Sequence, residues 1–149
     1  MSKLPENVLI SQVILDASIE VHRVMGGPGL LESVYEDALC EELRLRGHKI
    51  IRQESVPLIY KGRELATPLR LDIRVDQLVL IDCKAVLQWN SVFEAQMLTY
   101  LRLTGLRLGL VINFGERFVA NGFKRVANGM PDDAGYFQRR EAEKRSGEG

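Results

Sequence analysis

The chain has 149 residues, 46% hydrophobic and 7% aromatic, which suits one domain with a real core and is too short for two. Its 20 basic and 20 acidic side chains cancel, which removes any electrostatic case for tight sequence-independent binding of nucleic acid while leaving room for a local basic groove. No run of about 18 apolar residues and no signal-peptide pattern is present, so a cytoplasmic protein without a membrane span is expected.

Between residues 6 and 24, Ile10, Val13, Ile14, Ala17 and Val21 recur at helical steps and form one stripe. Gly26-Gly27-Pro28-Gly29 stops that helix. His22 falls on the polar edge of the stripe. It reads first as a helix-terminal histidine facing the C-terminal dipole, with a phosphate contact as the other option. A second helix over residues 31–46 turns Leu31, Val34, Tyr35, Ala38, Leu39 and Leu43 inward, and Gly47 caps it. Glu32 lies in its first turn, where a carboxylate suits the dipole.

The period then changes. Residues 50–60 read as a strand, with Pro57 marking an edge or a bulge. An exposed edge there would make a homodimer plausible. Lys61-Gly62-Arg63 is a turn. Residues 69–75 alternate, with Leu69, Leu71, Ile73 and Val75 on one face and Arg70, Asp72 and Arg74 on the other. Residues 79–86 form a third strand. Ser91-x-x-Glu94 has the pattern of a capping box opening a helix to about Thr104. Gln96 and Tyr100 share one face of it. Residues 108–114 are nearly all apolar, as in a strand covered on both faces, and residues 118–126 suit a last strand. Residues 131–149 alternate charge signs and contain few apolar groups, which predicts a frayed or disordered tail after a single domain over residues 1–130. The order ααβββαββ predicts an α/β sandwich with a mixed sheet flanked by helices. Cys40 and Cys83 fit neither a CxxC pair nor a zinc spacing and read as buried thiols.

Register decides where the acids go. A two-residue loop at Asp76-Gln77 would set Asp72 opposite Ile81 and scramble the faces. A loop of Asp76-Gln77-Leu78 pairs Val75 with Val79, sets Asp72 across from Asp82 and Arg70 across from Lys84, and leaves an apolar layer behind them. The buried face favours the second pairing. Two opposed carboxylates repel unless something neutralises them. A divalent cation does so, commonly with one or two carboxylates, and Lys84 points the same way to offset charge on a phosphate. The competing reading is an ordinary solvated face in which Arg70, Arg74 and Lys84 balance the acids. Glu32 is a candidate third acid, and Gln96 and Tyr100 are either polar tips of a helix–sheet contact or groups that orient a phosphate or base.

These residues also carry a resemblance. Gly29-Leu-Leu-Glu32-Ser-Val-Tyr35 resembles the signature of the GxxExxY proteins. Asp72, Asp82-x-Lys84 and Gln96-x-x-x-Tyr100 resemble the core of the PD-(D/E)XK nuclease superfamily, with the Q-x-x-x-Y of RecB-like nucleases. The likeness covers about residues 6–127, and includes His22-Arg23 and the Gly109–Gly115 segment. It implies a restriction-endonuclease-like fold and a Mg²⁺- or Mn²⁺-dependent nuclease acting on nucleic acid, DNA favoured. It further implies Asp72, Asp82, Glu32 and the Cys83 backbone carbonyl as metal ligands. Lys84 would position the attacking water and stabilise the transition state, and Gln96 and Tyr100 would contact substrate. Asp82 stands where glutamate is common in the family. A catalytically silent module that binds nucleic acid or protein is the alternative that the same fold allows.

Overall fold

The computed structural model describes residues 5–129. The charged segment 131–149 lies outside them. Helix α1, Glu6–Val24, buries Val8, Ile10, Ile14, Ala17 and Val21. The chain leaves it through Gly26 and Gly27, with φ of 93° and 103°, a conformation that side chains resist. Helix α2, Glu32–Leu45, follows and buries Tyr35, Leu39, Cys40 and Leu43. Among the described residues no helix is long and apolar enough to cross a membrane.

Five strands make the main sheet: β1 Ile50–Val56, β4 Leu69–Val75, β5 Val79–Lys84, β6 Leu108–Asn113 and β7 Phe123–Ala127. They lie in the order β1-β4-β5-β6-β7. β5 and β6 run parallel and the other neighbours antiparallel. The parallel pair requires a crossover, which helix α3, Val92–Thr104, supplies. Helices α1 and α2 cover one face, against Ile73, Val75, Ile81, Cys83, Leu110 and Ile112. Helix α3 covers the other, packing Met97 and Leu101 on Leu80 and Val111. β6 is buried along its whole length, as its apolar run predicts. This is the expected mixed α/β sandwich, consistent with a restriction-endonuclease-like fold.

The hairpin register is the predicted one. Val75 pairs with Val79, Arg74 with Leu80 and Ile73 with Ile81. The connecting turn is pinned from outside. Asp76 and Gln77 have φ of 50° and 59°, and Asp76 accepts from Lys49 N at 2.8 Å and contacts His48 Nδ1 at 2.6 Å.

Several expectations fail locally. Residues 50–60 are not one strand: β1 ends before Pro57, and β2 Ile59–Tyr60 pairs with β3 Arg63–Glu64 in a separate small hairpin. Proline has no N–H for the ladder, so the strand breaks there. The last strand begins only at Phe123, after a short 3-10 helix, Val119–Gly122. The capping box does not form. Ser91 makes no side-chain cap bond, Asn90 Oδ1 takes the Val92 N–H at 3.0 Å, and Glu94 accepts from Trp89 Nε1 at 2.7 Å.

The predicted continuous apolar layer on β4 also divides. Ile73 and Val75 pack with α1 and α2, whereas Leu69 and Leu71 belong to the α3 core. The cause lies next door. The β4–β5 ladder stops at Ile73, so neither of the two expected pairs beyond it, Asp72 with Asp82 and Arg70 with Lys84, is part of the ladder. The β1–β4 ladder passes over Gln53, whose φ of 52° lies outside the strand region. Beyond that break β4 parts from β5, and strict alternation no longer fixes the face.

Candidate active site

Asp72 sits at this break. Asp82 is 8% exposed on β5, between Ile81 and Cys83, whose side chains face the opposite core. The two carboxyls lie close enough that Asp82 raises the pKa of Asp72. Lys84, at the end of β5, places Nζ 3.2 Å from Asp82 Oδ2 and 4.7 Å from the centre of the Phe93 ring. An ion pair and an aromatic face together fix the ammonium more tightly than either alone.

Glu32 arrives from α2, and Tyr35 fixes where that helix starts. The Tyr35 hydroxyl donates to Gly27 O at 2.6 Å and accepts from Leu30 N at 3.1 Å. Its ring, fully buried, stacks on Phe114 at 4.8 Å. The glycine turn and the tyrosine thus act as one clasp, and Glu32 follows it at the rim of the site. From α3, Gln96 shares with Lys84 a cavity of about 530 Å³. Tyr100 packs against the α3 core.

The charges report one electrostatic unit. Burial, then the proximity and charge of Asp82, push Asp72 up to about 6, against the pull of Lys84 and of a hydrogen bond from Gln53. Burial works to lower Lys84, but Asp82, Glu32 and Asp72 together outweigh it and raise the ammonium. Burial raises Glu32, with Lys84 opposing and Asp72 and Glu36 adding to it. Burial raises Tyr100 too, and the charges of Asp72 and Asp82 add to that. Every titratable group in the predicted set therefore feels at least one of the two aspartates or Lys84, the buried Cys83 thiol included.

The residues present fit a hard divalent cation. Asp82 Oδ1 is buried with no hydrogen-bond partner, an arrangement that costs free energy unless something binds there. Its neighbour is a second carboxyl that resists ionising beside it. A cation that takes two carboxylates and completes its shell with water suits this pair. Among the described residues no group of three His, Cys, Asp or Glu side chains is gathered closely enough to hold an ion. The structure brings Asp72, Asp82 and Lys84 together and leaves Glu32 outside that contact. The Cys83 thiol is buried on the far face of β5, in the α1–α2 core.

His22 lies in the last turn of α1, as expected, but its ring turns inward. It is 7% exposed, hydrogen-bonds through Nε2 to Phe114 O at 3.2 Å, and lies beside the Tyr35 and Phe114 rings. Five residues that matter for the site are not singled out by the sequence. Gln53 holds Asp72, and Arg52 beside it is anchored to Glu36 at 2.6 Å and Asp37 at 2.7 Å. Asn113 ties down the chain just after Lys84. Phe93 forms the aromatic side of the cavity, and Trp89 braces it from behind, edge to face with ring centres 5.1 Å apart. The one sequence signal for them is Asn113, a lone amide ending an apolar strand beside Gly115.

A family model of the PD-(D/E)XK nuclease superfamily matches residues 9–126. No curated protein and no solved structure matches the chain. The match spans both helices of the first core, all five strands of the main sheet and every side chain of the site, and the mixed sheet is the one such a domain needs; the chain belongs to the PD-(D/E)XK nuclease superfamily.

Proposed function

We propose that the protein is a Mg²⁺- or Mn²⁺-dependent nuclease of the GxxExxY type that hydrolyses phosphodiester bonds, with DNA the favoured substrate. The observation that carries this reading is the unpartnered, buried Oδ1 of Asp82 beside Asp72 and Lys84. Asp72 and Asp82 would hold the ion, with the Cys83 backbone carbonyl as a further donor and Glu32 acting from the rim through water. A divalent ion bound there neutralises the paired carboxylates and acidifies a water to make a nucleophile at neutral pH.

The chain's own groups do the rest. Lys84, cationic and held by Asp82 and Phe93, presents fixed positive charge where negative charge builds on the phosphate oxygens. Asp72 must shed its proton before the pair can serve as ligands, which ties function to a pH above about 6. Gln96 and Tyr100 line the approach from α3 and orient the substrate strand.

Purified protein should cleave nucleic acid only when Mg²⁺ or Mn²⁺ is supplied. Asp82→Ala should abolish both cleavage and Mn²⁺ binding, and Lys84→Ala should cut the rate by about a hundredfold or more while Mn²⁺ still binds. Absence of metal-dependent cleavage on DNA and RNA, with nucleic-acid binding unchanged in Asp72→Ala and Lys84→Ala, would instead identify a silent binding module of the same fold.

A further inference from the structure

The cavity next to Lys84 has the wrong lining for a phosphate track. Its walls are Val92, Phe93, Ala95, Gln96 and Thr99, all from α3, and Lys84 is the one charged side chain among them. Phe93 supplies an aromatic surface already braced by the edge contact with Trp89. Val92 is exposed. Gln96 adds a side-chain amide with both donors and an acceptor. At about 530 Å³ the space is within the range of small-ligand sites.

An aromatic wall, small apolar neighbours and one amide form a surface for a planar heteroaromatic ring with polar edges. A chain with 20 positive and 20 negative side chains has little charge to spare for tracking the phosphates of a duplex. A base inside a duplex keeps both faces stacked and its pairing edge occupied, so it cannot reach such a wall.

Resting on the nuclease reading above, we propose that this cavity is a nucleobase site. It takes the unpaired base of the nucleotide flanking the phosphate at Lys84, and the substrate is therefore single-stranded at the point of cleavage. The base packs on the wall of Phe93, Val92 and Ala95, and the Gln96 amide meets its edge. Lys84 belongs to both the cavity and the acid pair, so base and phosphate are read from one end of β5.

Trp89 is the chain's one tryptophan and touches Phe93, so its fluorescence reports occupancy without any cleavage. The test titrates the Asp82→Asn protein with a short single-stranded oligonucleotide, with the duplex of the same sequence, and with a series carrying one abasic position each. The expected result is a saturable Trp89 change with the single strand and affinity about tenfold or more weaker for the duplex. One abasic position should lower affinity about tenfold while the others do not. Phe93→Leu, which keeps an apolar side chain but loses the ring, should weaken single-strand binding in the same way. Equal affinity for duplex and single strand, a flat abasic series, or no binding of either form would overturn the proposal. Metal-dependent cleavage of duplex by the unmodified protein would leave the nuclease reading standing in that event, and loss of all cleavage would remove both.

Discussion

Asn113 and Val86 are joined by two hydrogen bonds: Asn113 Nδ2 donates to Val86 O and Asn113 Oδ1 accepts from Val86 N, each at 3.0 Å. β5 has ended at Lys84, yet a side chain from β6 continues the pairing with the departing backbone. Gly115 N also donates to Oδ1, at 2.9 Å, and a side chain at Gly115 would collide with the Val86 backbone. Asn113→Ala should therefore cost about 2–3 kcal/mol in chemical denaturation, because backbone groups lose partners in a part-buried site. Single-turnover cleavage should fall about tenfold or more, since Lys84 loses its support. Asn113→Asp should fare no better, since a carboxylate cannot donate to Val86 O.

The Asp72 carboxyl gives a pH dependence with a definite sign. Its usual value is 3.8 and burial with Asp82 raises it to about 6. Between those values the unfolded chain releases the proton and the folded chain keeps it, so metal-free stability falls as pH rises through that window. Asp72→Asn should match the parent below the window and exceed its Tm above it, measured without divalent ions. Adding Mn²⁺ at high pH should raise the Tm of the parent alone, and Mn²⁺ affinity should drop as pH falls below about 6.

Tyr35→Phe isolates the clasp. The ring and its stacking on Phe114 remain, while Gly27 O and Leu30 N lose the hydroxyl. A loss of about 1–2 kcal/mol is expected by denaturant melts. Cleavage should fall as well, because the start of α2 that carries Glu32 is no longer pinned.

Gln53 separates backbone from side chain. Its φ of 52° is costly for any residue with a Cβ, and its amide favours the ionised form of Asp72. Gln53→Gly should be more stable than Gln53→Ala by about 1 kcal/mol, since only the glycine relieves the backbone. Both should shift the Asp72 titration upward, measured by NMR of the carboxyl.

The sequence carries the fold through patterns that are local or that bury a face. Val75 finds Val79 because slipping by one residue would expose Ile73 and Ile81, and that alone places Asp72 near Asp82. The helix stripes from Ile10 to Val21 and from Tyr35 to Leu43 are equally plain, because burial demands them. What stays hidden depends on distant partners. The bond from His22 to Phe114 spans most of the chain. Gln53 looks like any strand residue until its backbone leaves the strand region. Ser91 and Glu94 have the spacing of a cap, but Trp89 claims the glutamate first.

Cys83 is flanked by Asp82 and Lys84, yet its thiol is fully buried with the α1–α2 core, and burial holds its pKa well above the ordinary range. A thiol reagent therefore meets an unreactive, enclosed sulfur in the native protein. Any inactivation by maleimides or mercurials would time how often the β5 core opens, and would say nothing about a cysteine in the chemistry. The strand that presents the acid and the lysine thus carries its own label for local unfolding, one residue from each.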